Sequence, residues 1–144
     1  MKIRRVLFTT LIVLVLLAQL VDFNLPTARA ATSCDAAQFV ADVTVPDGTT
    51  FAPGTPIAKT WRLKNVGTCT WTTAYAAVFY SGDKMGAPSS VNLPMSVAPG
   101  ATVDVTVNMT APATAGHYRG HWMLRNASNV LFGMGPYGNY TFFL

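Results

Sequence analysis

The sequence contains no glutamate, and all six of its acidic residues are aspartates. Charged residues of both signs make up only 11% of the chain. That scarcity thins the plausible acid–base chemistries. Asp42 and Asp47 are the nearest conspicuous pair for a two-carboxylate glycosidase, and Asp47 is already explained by a turn. Histidine is equally sparse. His117 and His121 have the spacing of a zinc-binding helix, but they lie in strand-type sequence, where residues four apart are separated by about 13 Å and cannot share an ion. A copper carrier would need Cys, His and Met to converge, and Cys69 is better used in a disulfide. No Gly-x-Ser-x-Gly motif occurs. Gly133 to Gly138 matches Gly-x-Gly-x-x-Gly literally, yet β-forming sequence follows where a dinucleotide site needs a helix. That stretch reads as a glycine-rich turn. The chain is therefore read as non-enzymatic, with no metal or cofactor.

What is present begins with an address. Met1 to Arg5 is basic, Val6 to Val21 is almost entirely apolar, and Ala28-Arg29-Ala30 is an A-x-A cleavage signature. Residues 1–30 thus read as a secretory signal peptide with Ala31 as the new N-terminus, which makes the protein secreted or extracytoplasmic. The alternative is an uncleaved anchor at residues 6–21, a run shorter than the roughly 20 residues that span a bilayer. Lipidation at Cys34 fits less well, because Asp22 and Arg29 separate it from the apolar run. The net charge of +4 is mostly a leader effect. Beyond residue 30, Lys59, Arg62, Lys64, Lys84, Arg119 and Arg125 face five aspartates, so the concentrated basic footprint of a nucleic-acid binder is missing.

The two cysteines of an exported chain read as one disulfide, Cys34–Cys69. Closing a loop of that length is worth roughly 3–4 kcal/mol in the chain-entropy picture. It would tie an N-terminal segment, 31–38, to a domain at 39–144.

Between Lys59 and Trp71 the chain alternates as a strand does, with Trp61 and Leu63 on one face and Thr60, Arg62 and Lys64 on the other. It breaks at Asn65-Val66-Gly67, where glycine can take positive φ without strain. Further strands are expected at 38–45, 56–66, 75–81 and 139–144, with a short edge strand at 90–93. Val103, Val105, Val107 and Met109 alternate with Thr102, Asp104, Thr106 and Asn108, and Trp122 and Leu124 alternate with His121, Met123 and Arg125. Pro46-Asp47-Gly48-Thr49 and Pro53-Gly54 are turns. Short strands at this spacing predict an all-β sandwich, with Trp61 and Trp122 buried.

The segments VTVPDGT (43–49), KTWRLKNVGTCTW (59–71), FYSGD (79–83), VAPG (97–100), GHYRGHWMLRN (116–126) and FG (132–133) carry a resemblance. In combination they resemble the four-tryptophan domain, the Ig-like domain of next-to-breast-cancer-gene-type autophagy receptors, which also has bacterial members. The short basic leader points to such a bacterial version. The resemblance implies an all-β fold, an immunoglobulin-like antiparallel β-sandwich of about seven strands, without enzymatic activity, that engages protein partners. It carries three family tryptophans onto Trp61, Trp71 and Trp122, while the fourth, after the FG pair, is absent, with Tyr137 or Tyr140 in its neighbourhood. It also places 75–81 beside 118–126 in one sheet. With Phe79 and Trp122 inward, Val78, Tyr80, Arg119, His121, Met123 and Arg125 would face out, and Tyr80, Arg119, His121, Met123 and Arg125 become the candidate binding residues. The expected role is an extracytoplasmic binding module for a protein, peptide or cell-surface polymer. The alternative is a structural envelope-associated domain held by an uncleaved leader.

Overall fold

The computed structural model describes residues 33–144, so the leader, its cleavage site and the proposed anchor lie outside the described residues. Eight strands follow one another: β1 (Ala37–Asp42), β2 (Pro56–Asn65), β3 (Ala76–Gly82), β4 (Ser90–Asn92), β5 (Thr102–Thr110), β6 (Gly120–Arg125), β7 (Leu131–Phe132) and β8 (Phe142–Phe143). They form two antiparallel sheets, β1-β2-β5 and β4-β3-β6-β7, with β8 also paired to β6. β7 pairs with Leu124 and Arg125, and β8 with His121 and Trp122, so the two are pieces of one edge position interrupted by the excursion between them. The single strand expected at 139–144 is thus shorter, and a strand at 131–132 joins it.

Period-two burial builds the core. Ile57, Trp61 and Leu63 of β2 and Val103, Val105, Val107 and Met109 of β5 are buried, and Trp61 lies opposite Val105 in the register. From the other sheet come Ala77, Trp122, Leu124, Phe132 and Phe142. Trp61 stands 6.0 Å from Trp122 and 5.0 Å edge-on from Phe142, while Trp71 packs 5.7 Å from Phe132. These tilted and edge-on arrangements are the ones aromatic quadrupoles favour. The core is built on indoles, and neither Tyr137 nor Tyr140 joins it. Both are exposed, and the ring neighbouring Trp71 is Phe132.

The same alternation buries a charge. Lys59 shares the inward face of β2 with Trp61 and is fully buried. Its ammonium donates to Asp42 Oδ1 at 2.6 Å and to the Val45 carbonyl at 2.7 Å, which satisfies it where β1 ends. Beyond that end Thr44 substitutes for strand backbone: its hydroxyl donates to the Ala58 carbonyl at 2.6 Å and accepts from Thr60 N at 2.8 Å. On the opposite face Arg62 and Asp104, register partners, form a two-pronged ion pair with both bonds at 2.7 Å. That pair raises the Arg62 pKa and lowers that of Asp104, the side-chain hydrogen bond being the larger cause in both.

The N-terminal segment is stapled as well as paired. Cys34 and Cys69 are joined with their Cα atoms 4.9 Å apart. Thr68 N and Cys69 N donate to the carbonyls of Ser33 and Cys34. β1 itself begins at Ala37, so a domain boundary at 39 falls inside this strand and the segment before it packs as part of the sandwich. Gly67 also departs from its sequence reading. It does not take positive φ; glycine is required there because a Cβ would collide with the Cys34 carbonyl oxygen. The backbone-to-backbone approach of the stapled segment sets that residue, rather than the turn.

Candidate functional site

β3 and β6 are neighbours, with Phe79 opposite Trp122 and Val78 opposite Met123. The sequence-derived surface nevertheless divides. Met123 is buried at 6% exposure, and so is Val78, in a small cluster with Ala76 on the outward side of this sheet. The chain leaving β7 covers it: a Cβ on Gly133 would lie 3.3 Å from Met123 Cε. Met123 is therefore removed from the binding face, and Val78, although it faces out, is buried with it. Arg125 is half-buried, and its Nε has no hydrogen-bond partner among the described residues. Tyr80 is exposed, at the irregularity where the β3–β6 register shifts.

Arg119 and His121 belong to a different surface. The guanidinium of Arg119 lies over the Phe143 ring, 4.9 Å from its centroid, and the His121 ring stands 5.8 Å from the same ring. His121 Nδ1 is 3.0 Å from Thr141 Oγ1. The main chain of Arg119 is locked to the β3 end, since Arg119 N donates to Asp83 Oδ2 at 2.9 Å and Asp83 N donates back to the Arg119 carbonyl at 2.8 Å. Gly82 serves this junction with φ of 84°, and a Cβ there would strike the same carbonyl.

Arg119 and Phe143 stand on the wall of a cleft of about 790 Å³ at one end of the sandwich. Its walls are the 47–53 turn region after β1 and the 111–119 connection from β5 to β6. Phe51, Ile57, Met85 and Phe143 supply an apolar surface, and Asp47, Asp83, His117 and Arg119 supply charged or titratable groups. The volume lies in the range of about 300–1,000 Å³ usual for ligand pockets. Met85 is one of three non-glycine residues with positive φ among the described residues, at 51°, and its carbonyl is held by Thr110 N at 2.8 Å. Left-handed backbone in such a residue costs of order 1–3 kcal/mol and clusters at functional sites.

Sequence reasoning found Arg119 but missed Phe51, Met85 and Phe143, which come from three separate parts of the chain. A usable signal existed for Phe143 alone, since adjacent phenylalanines in a strand must point to opposite faces. The opposite end of the molecule is organised by Asp35, which accepts from Tyr75 Oη at 3.0 Å and from Asn126 Nδ2 at 2.7 Å. Burial first, and then this carboxylate, raise the Tyr75 pKa above its usual 10.0. Among the described residues no group of three or more His, Cys, Asp or Glu could hold a metal ion.

The family model described as the Ig-like domain from next to BRCA1 gene matches residues 44–135. This chain belongs to that family. Protein ILRUN of Danio rerio is 38% identical over 97 residues, covering 66% of this chain and 33% of that protein. Protein JOKA2 of Solanum tuberosum is 40% identical over 99 residues, covering 67% of this chain and 12% of the other. Next to BRCA1 gene 1 protein of Homo sapiens is 37% identical over 86 residues, 58% of this chain and 9% of the human protein. The chain thus spans a third or less of the length of these relatives. Within this Ig-like domain, Met85 and Arg119 fall inside the matched stretch and Phe143 falls beyond it.

Proposed function

We propose that this Ig-like domain is a non-enzymatic binding module that works outside the cytoplasm and engages a protein or peptide at the cleft beside Arg119. The observation that carries the reading is the Arg119 side chain, exposed at the cleft wall, stacked on Phe143 and without a carboxylate partner among the described residues. Arginine on an aromatic ring is a frequent anchor in protein interfaces. A rigid two-sheet scaffold holds it, so little side-chain order has to be created on binding. The extracytoplasmic part rests on the Cys34–Cys69 disulfide, since such bonds persist in oxidising compartments, and on the leader-like sequence before it.

Affinity capture from envelope and medium fractions of the producing cells tests this, with N-terminal sequencing of the native protein. The reading expects a start at Ala31 and a partner whose capture falls at least tenfold, about 1.4 kcal/mol, in Arg119→Ala. A protein found only in the cytosol with both thiols free contradicts the location. Capture that is indifferent to Arg119→Ala contradicts the site.

A further inference from the structure

Two stretches of the cleft wall carry main-chain N–H groups without a partner among the described residues. Among the described residues, no main-chain N–H from Ala113 to Tyr118 donates a hydrogen bond, and neither does any from Thr50 to Ala52. Thr50 and Phe51 of the one stretch and Thr114 to Tyr118 of the other line the cleft, and both stretches are irregular segments between strands. Between them lies the apolar surface of Phe51, Met85 and Phe143. Next to it stands a guanidinium whose backbone is fixed twice to Asp83 and whose fork makes no ion pair among the described residues.

We propose that the cleft takes an extended peptide segment of a partner protein, seating one apolar side chain against Phe51, Met85 and Phe143 and one carboxylate on Arg119. Each part of the site selects a part of that ligand. N–H groups along a wall that pair with no protein acceptor can exchange water for carbonyl acceptors in series, which an extended main chain supplies and a compact solute does not. The apolar surface accepts a single anchor rather than a long hydrophobic segment, because Asp47, Asp83 and His117 surround it with polar groups. Arg119 is matched by a carboxylate, which its planar fork binds through two parallel N–H···O bonds. The strained Met85 backbone is held by Thr110 N, so the thioether is presented to the cleft before any ligand arrives, and an unbranched thioether adapts to differently shaped anchors.

This inference rests on the binding-module reading, and it is tested apart from it with a positional-scanning library of acetylated, amidated pentapeptides. The library is applied to the native protein with its disulfide intact. The expected result is selection of Asp or Glu at one position and of an apolar residue at a fixed spacing from it, with the acidic preference falling at least tenfold in Arg119→Gln and partly restored in Arg119→Lys. Arg119 is exposed, so a circular dichroism spectrum unchanged in the variants shows that the loss is not unfolding. Absence of any acidic preference, or a preference that survives Arg119→Gln, overturns the proposal. If a natural partner is still captured through Arg119 while no pentapeptide is selected, the binding module stands and the extended-peptide occupant is wrong.

Discussion

The indole of Trp61 donates from Nε1 to the Phe143 carbonyl at 2.9 Å, so a ring at the centre of the core holds the strand that carries the aromatic wall of the cleft. Trp122, its neighbour at 6.0 Å, has no such partner for its own Nε1 among the described residues. Replacement by phenylalanine separates the two roles. Trp61→Phe leaves a carbonyl of β8 unpaired and is expected to cost about 1–3 kcal/mol beyond the packing lost, whereas Trp122→Phe removes an unpaired donor and loses packing alone. Urea unfolding of the two variants checks this. A Trp122→Phe protein that is the less stable of the pair would contradict the assigned role of the Trp61 bond.

Lys59 and Asp42 test the buried charge. Asp42→Ala strands the ammonium in the core, leaving it the Val45 carbonyl and the face of the Trp61 ring 5.5 Å away, and is expected to cost about 3–5 kcal/mol. Lys59→Met combined with Asp42→Ala removes both charges and is expected to recover most of that loss. Thermal melts of the single and double variants decide it, and equal destabilisation in both would mean that packing rather than charge dominates.

Part of this was legible in the sequence and part was not, for identifiable reasons. The sandwich, the β2, β5 and β6 alternation and the burial of Trp61 and Trp122 follow from period-two patterning, which local sequence carries in full. The same patterning placed Lys59 on the face of Trp61, a consequence obscured by its charge. Met123 shows the limit in the other direction. Parity put it outside, but the Gly133 backbone crosses over it, and such coverage is a tertiary event that no strand pattern records. The cleft is less legible still, because Phe51, Met85 and Phe143 meet only when both sheets have closed.

The staple is worth a separate measurement. The native protein is expected to have an intact mass lower than its reduced form by the hydrogens lost on oxidation, and Cys34→Ser is expected to cost about 2–5 kcal/mol. Free thiols in freshly isolated material would refute the pairing in the living cell.

Tyr75 gives stability a pH dependence with a definite sign. Its pKa is raised in the folded protein by burial and by the Asp35 carboxylate, so the protonated phenol favours the fold. That contribution is complete below the ordinary tyrosine value of 10.0 and is lost as pH rises through the higher folded value. Stability is therefore expected to decline above about pH 10, and Tyr75→Phe to flatten that decline. Denaturant midpoints measured from pH 8 to 11 check it, and an identical alkaline slope in the variant would place the titration elsewhere.

The binding site is tested most directly by photocrosslinking in the producing cells. A benzophenone amino acid is placed either at Thr114, on the cleft wall, or at Tyr80, on the outward side of β3. Both positions are exposed, so neither placement disturbs the core. A partner adduct from position 114 that disappears in the Arg119→Ala background, with none from position 80, is the expected result. An adduct from position 80 with none from position 114 would put the binding surface on the sheet and contradict the cleft.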